Sequence, residues 1–144
     1  MQKVPFVTSY LTEHTGDDAY ATLAGYRARG GYEAAKQALT AMTPEAVVNL
    51  VRDAGLQGRG GAGFSTGMKW SFMPKGNEKP KYLVCNADES EPGSFKDRLL
   101  LERAPHQMLE GILIGAKATG TSTTFVVILL GGLAYVWMKG ALEW

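Results

Sequence analysis

Residues 58–67 read GRGGAGFSTG, five glycines in ten positions, with Lys69 and Trp70 close behind. A backbone so poor in Cβ atoms adds little to a core and is useful where positive φ or close approach to another molecule is required. Consecutive N–H groups on such a run can converge on an anion. Thr66 is placed to cap a short helix from Gly67 to Met73, whose positive end would face the same guest. A nucleotide phosphate fits that description. The run is not a Walker A loop, because Met68 separates Gly67 from Lys69. Residues 58–63 do match G-x-G-x-x-G, but the residues ahead of them are patterned as a helix, whereas the dinucleotide fingerprint follows a strand. Nucleic acid is not expected, since Arg59-Gly60-Gly61 occurs once and 15 basic residues face 14 acidic ones. A glycine-rich surface loop without a ligand is the alternative.

A second cluster favours the ligand. Tyr82-Leu83-Val84-Cys85 is a short β-type run that leads into Asn86-Ala87-Asp88-Glu89-Ser90-Glu91-Pro92-Gly93-Ser94-Phe95-Lys96-Asp97-Arg98. In open α/β sheets ligands bind beyond the carboxyl ends of strands, where this polar turn would lie. Asp88, Glu89 and Glu91 repel one another, which a solvated turn tolerates and a site can exploit as an array of acceptors.

These two motifs, in this order and at this spacing, resemble the family of flavin-carrying, NADH-binding subunits of respiratory complex I, the F-type flavoprotein of bacterial NADH-quinone oxidoreductase. The likeness rests on GRGGAGFSTGMKWSF at 58–72 and NADESEPGSFKDR at 86–98, and extends over about residues 1–120. Related flavin subunits of NAD-dependent formate dehydrogenases and hydrogenases carry similar motifs. The resemblance implies an α/β fold, the N-terminal part of a Rossmann-like FMN/NADH-binding domain with a helical lead-in. It also implies hydride transfer from NADH to FMN, chemistry that belongs to the cofactors while the protein supplies position and field.

Carried over position by position, the resemblance implies that Gly58, Arg59, Gly60, Gly61 and Lys69 line the flavin, with Lys69 near its phosphate, and that Ala62, Gly63, Ser65, Thr66 and Gly67 complete the loop. Asn86 and Asp88 would bond the ribityl chain or ring, Glu89 and Glu91 would lie near the nicotinamide, and Phe64 with Phe72 would stack on the adenine. For Phe72 plain core packing is an equal alternative. Other complex I subunits, above all the thioredoxin-like iron–sulfur protein, are the implied partners, on the cytoplasmic side of the bacterial inner membrane. Met1–Tyr10 holds one lysine and no apolar run of signal-peptide type.

The family also holds a 4Fe–4S cluster, which needs four thiolates. This chain has one cysteine, Cys85, and it is expected to be a buried strand residue. No other metal site is expected, and His14 and His106 lack ligand spacing. The chain therefore resembles a first third of such a flavoprotein, and a non-catalytic fragment anchored to a membrane is the alternative to an active one.

The tail departs from the family. Phe125–Met138 is fourteen residues without a charge, and the ending Tyr135–Trp144 resembles the C-terminus of the small A-type membrane protein of complex I, as in a chimera joined between about Gly120 and Ile128. Two domains follow, 1–120 and a hydrophobic tail 121–144. Fourteen helical residues span about 21 Å, short of a bilayer core of roughly 30 Å, and adding Thr121–Thr124 gives about 27 Å. A hydrophobic helix, a candidate transmembrane span, is the expectation. A parallel strand over Thr123–Leu130, completing a βαβ unit with Tyr82–Ala87, is the alternative.

Elsewhere the pattern is helical. Gly31 to about Ala41 would bury Tyr32, Ala35 and Leu39. Thr43-Pro44-Glu45 starts a second helix that Gly55 stops. Met108, Leu109, Ile112, Leu113 and Ala116 form an apolar stripe after Pro105 that is expected to face the core.

Overall fold

The computed structural model describes residues 11–58, 63–76, 79–89 and 93–128. A short 3-10 turn at Asp18–Ala21 is followed by α1 (Leu23–Ala28), α2 (Glu33–Ala41), α3 (Pro44–Asp53), α4 (Thr66–Ser71), β1 (Tyr82–Ala87), α5 (Lys96–Arg103), α6 (Pro105–Thr119) and β2 (Thr123–Ile128). The two strands pair in a small parallel sheet, with α5 and α6 in the crossover between them. This is the α/β architecture expected from the sequence.

The chain divides into two compact units, one of residues 1–31, 87–108 and 128–144, the other of 32–86 and 109–127. The core of the second unit is Ala38, Val47, Val48 and Ala118, with Met42, Trp70 and Ile114 packed against it. α3 forms where its cap predicts. The Thr43 hydroxyl accepts from the Ala46 N–H at 3.2 Å, Pro44 occupies the first turn, and Gly55 ends the helix at φ +68°. Val47, with 2% of its surface exposed, and Val48 enter the core, whereas Leu50 faces water.

α2 starts differently from its sequence expectation. Tyr32, in the left-handed region at φ +69°, stands at its N-cap and supplies no side-chain cap. The carboxylate of Glu110, on α6, takes that role. Its Oε2 accepts from the Tyr32 N–H at 3.0 Å and its Oε1 from the Ala35 N–H at 2.9 Å, and the residue is only 8% exposed. Burial, and next the Glu110 charge, raise the Tyr32 phenol above its ordinary pKa. Ala35 and Ala38 are the buried residues of α2, while Leu39 is exposed. The stripe of α6 is displaced as well. Glu110, Gly115, Ala118 and Thr119 are buried, and Leu109 and Leu113 are exposed. Gly115 lets the helix sit close over Leu83 and Trp70, so small residues rather than leucines make its inner face.

The first unit is held by rings and ion pairs. Tyr20 and Tyr26 are buried with ring centroids 5.0 Å apart, and His106 stacks on Tyr26 at 5.8 Å. Arg29 pairs with Asp17, and Arg103 with Asp18.

The expected helix at the start of the tail is overturned, because residues 123–128 form the strand β2. Thr123, Thr124, Val126, Val127 and Ile128 are β-branched, and a partner strand is present in β1. Among the described residues no helix is long and apolar enough to cross a membrane. The rest of the tail, 129–144, lies outside the described residues.

Candidate functional site

The glycine-rich loop is closed at its stem. Gln57 and Ser65 form an antiparallel bridge, the Gly58 N–H donates to the Phe64 carbonyl at 2.9 Å, and the Thr66 N–H donates to the Leu56 carbonyl at 2.8 Å. Arg59, Gly60, Gly61 and Ala62 lie outside the described residues. Gly63 resumes the chain at φ +66°.

The helix after the loop begins one residue earlier than the cap assignment from sequence. Ser65, not Thr66, is the N-cap of α4, and its hydroxyl accepts from the Met68 N–H at 3.3 Å. Thr66 is the first helical residue and half-buried.

Two glycines of the loop play different parts. Gly67 is buried, and a Cβ there would lie 2.4 Å from the Arg52 backbone nitrogen. Its missing side chain is explained by the packing of α4 on α3. Among the described residues a Cβ at Gly58 would meet only the Phe64 carbonyl oxygen, at 3.7 Å, which is ordinary contact. The described fold therefore does not require glycine at 58.

Around the loop, Lys69 stands exposed on α4. Phe64 and Phe72 face each other at 6.2 Å with their rings tilted by 45°, and both are exposed. Phe72 is therefore not a core residue. Asn86, near the end of β1, is exposed, and Cys85 beside it is half-buried in the strand.

In the other unit, Asp88 is exposed and Glu89 is turned inward, its side chain 9% exposed. Glu89 Oε1 accepts from the Ser94 hydroxyl at 2.8 Å and the Asp97 N–H at 3.1 Å, while Oε2 accepts from the Asp97 and Arg98 N–H groups, each at 3.2 Å. The Lys96 ammonium lies 3.7 Å away. Burial pushes the Glu89 carboxyl up, but bonds from the backbone of Asp97 and Arg98, the Ser94 hydroxyl and the Lys96 backbone outweigh it and hold the pKa below the ordinary value. Glu91 lies outside the described residues. Beyond the turn, Arg98 Nε donates to Glu102 Oε1 at 2.8 Å, and that bond, with the attraction of the two charges, raises the guanidinium pKa.

A cavity of about 490 Å³ lies elsewhere in the second unit, with Val48, Arg52, Trp70, Lys75, Lys81 and Thr119 among its walls. Among the described residues, none of the site residues expected from the sequence lines it. The Lys75 ammonium at its edge is 3.4 Å from the Glu45 carboxylate. Among the described residues no three His, Cys, Asp or Glu side chains converge as a metal site.

Residues 51–130 match the model of the Nuo51 FMN-binding domain. An F-type NADH-quinone oxidoreductase subunit of Rhizobium meliloti (strain 1021) is 58% identical over 106 residues, which cover 74% of this chain and 25% of that protein. The corresponding F-type NADH-quinone oxidoreductase subunit of Escherichia coli (strain K12) is 61% identical over 94 residues, 65% of this chain and 21% of that one. The chain thus spans a quarter or less of the length of these two relatives. A crystal structure of an NAD+-reducing nickel–iron hydrogenase in the air-oxidized state superposes with a TM-score of 0.63 at 38% identity, covering 85% of this chain and 21% of that one.

Proposed function

We propose, from the premise that this chain belongs to the Nuo51 FMN-binding domain family, that it binds FMN and NADH as part of an NADH-quinone oxidoreductase. The observation that carries this reading is Gly58. Its stem position is fixed by backbone bonds, yet nothing in the described fold would clash with a side chain there. A glycine that packing does not need, opening a loop of glycines, fits a flavin that must come close to the main chain. When bound, FMN supplies the ring that accepts a hydride from NADH.

The chain's own work is holding and orienting. On the loop side, the glycine run that Gly58 opens would offer backbone N–H groups, the Gly58 N–H itself being held by the Phe64 carbonyl, and Lys69 would place its ammonium by the phosphate. At the strand end, Asn86 would bond the ribityl chain or ring. In the other unit Asp88 would do the same and Glu91 would lie by the nicotinamide. The exposed Phe64 and Phe72 rings would receive the adenine, since a π-face stacks on any base without needing hydrogen bonds. None of these residues is asked to give or take a proton. Further subunits of the same oxidoreductase, the thioredoxin-like iron–sulfur protein first, are the partners this reading implies, at the cytoplasmic face of the inner membrane. The relatives' names call them subunits of an NADH-quinone oxidoreductase, which supports partners of the same enzyme.

Titration of FMN into the detergent-solubilised full chain, followed by quenching of flavin fluorescence, tests the proposal. Saturable binding that Lys69→Ala abolishes is the expected result. Absence of saturable binding would overturn it and favour a fragment without a competent site.

A further inference from the structure

The turn after β1 begins and ends on one side chain. Helix α5 opens at Lys96, and its N-cap, Phe95, has no side-chain oxygen to offer the first amides. Those amides are donors that a helix cannot satisfy from within. Glu89, eight and nine residues upstream of Asp97 and Arg98, reaches back and accepts from both, and from the Ser94 hydroxyl inside the turn. A carboxylate at the positive end of a helix also gains from the helix dipole. With about four acceptor sites in all, it has little capacity left for a further donor.

We propose that Glu89 is a positioning residue of the flavin site: its carboxylate ties the end of β1 to the first turn of α5 and so fixes the backbone on which Asp88 is presented, without itself touching flavin or nicotinamide. This rests on the FMN reading above and reassigns one residue within it. The residue type follows from the geometry. An aspartate at 89 would be one methylene shorter and could not keep both oxygens on the Asp97 and Arg98 amides. A glutamine would keep one oxygen acceptor and the same reach. The Lys96 ammonium, 3.7 Å from Oε1, neutralises part of the charge that the inward turn of Glu89 would otherwise leave unbalanced.

Amide hydrogen exchange of the full chain, read at Asp97 and Arg98, is the direct test, with FMN titration beside it. Glu89→Ala should speed exchange at both amides by roughly fivefold or more, the scale of a lost helix cap, and should weaken FMN binding. Glu89→Gln should recover much of both. If Glu89→Ala leaves exchange at Asp97 and Arg98 unchanged, the clasp is overturned. If Glu89→Gln retains exchange protection yet loses FMN as completely as Glu89→Ala, the carboxylate acts on the flavin by its charge and the positioning role is overturned. Should Glu89→Ala not fold, Glu89→Gln together with Ser94→Ala still decides the matter: the first leaves one oxygen to accept from the Asp97 and Arg98 amides and the second removes the hydroxyl that holds Oε1 in place, so exchange at these amides must rise in either variant and most in the double, and unchanged exchange in all three overturns the clasp. A wild-type chain that binds no FMN but shows the exchange difference would sink the functional reading and keep the clasp.

Discussion

Phe64 and Phe72, from the two ends of α4, hold their rings 6.2 Å apart at 45°, with 51% and 67% of their surfaces open to water. Two phenylalanines paired and left exposed are badly placed for stability and well placed to take a flat guest. Stacking one base on an aromatic ring contributes about 1–3 kcal/mol. Phe72→Ala is therefore expected to weaken NADH more than FMN, by a factor of about ten in the NADH dissociation constant. Calorimetric titration of the FMN-loaded chain measures both, and an equal loss of the two ligands would remove the adenine role.

Glycines 58 and 67 should part company under substitution. Gly67→Ala forces a Cβ to 2.4 Å from the Arg52 nitrogen, an overpacking expected to cost about 1–3 kcal/mol. Gly58→Ala meets no such obstacle and should change stability by less than about 0.5 kcal/mol while reducing FMN affinity. Urea unfolding followed by circular dichroism, run beside flavin titration, separates them. A destabilised Gly58→Ala would show that the loop stem, not a ligand, demands that glycine.

Glu110 holds α2 from 75 to 78 residues away in sequence. Glu110→Ala removes the acceptor for two amides, one of them on the buried Ala35, and should lower stability by about 2–3 kcal/mol. Glu110→Gln should lose less, because one oxygen remains. Urea midpoints of the two variants check the order, and equal midpoints would mean that water replaces the carboxylate.

The pH response follows from Glu89. Its carboxyl sits lower in the folded chain than its ordinary value of 4.5, so the stabilisation it gives is present above that value and is lost as pH falls through the lowered folded value. The stability difference between wild type and Glu89→Gln should be constant near neutrality and disappear in acid. Tyr32 runs the opposite way. Its phenol is raised above 10.0, so its contribution is intact below that pH and fades as pH rises through the higher folded value. Denaturant midpoints taken across the pH range, with Tyr32→Phe as the control, would show both slopes, and a flat acid limb would contradict the bonding described for Glu89.

Local chemistry was legible in the sequence and long-range chemistry was not. Thr43-Pro44-Glu45 and Gly55 set the bounds of α3 because caps act within a few residues. The run at 82–85 grew into β1, and the stripe after Pro105 lies in α6. Nothing near Tyr32 announces that its helix is capped by Glu110, and an acid inside an apolar stripe reads as an interruption. The leucines at 109 and 113 mark an apolar face by period, yet Gly115 decides which side of α6 comes close to the sheet. Residues 123–128 were open to two readings, and pairing with β1 favoured the strand. At the site, Gly67 looked like the other loop glycines, and only its distance from Arg52 separates a packing glycine from one that a ligand would need.

The sheet has one more consequence. Tyr82 and Phe125 lie 5.8 Å apart across the two strands, and with Val84 and Val127 they make a face that is 41–56% open. A net charge of +1 gives little mutual repulsion between copies. The shelf life of a concentrated preparation will be governed by colloid behaviour before unfolding: turbidity should rise with salt, which strengthens apolar contact and screens what charge there is, and should fall when the buffer pH is moved well to either side of neutrality.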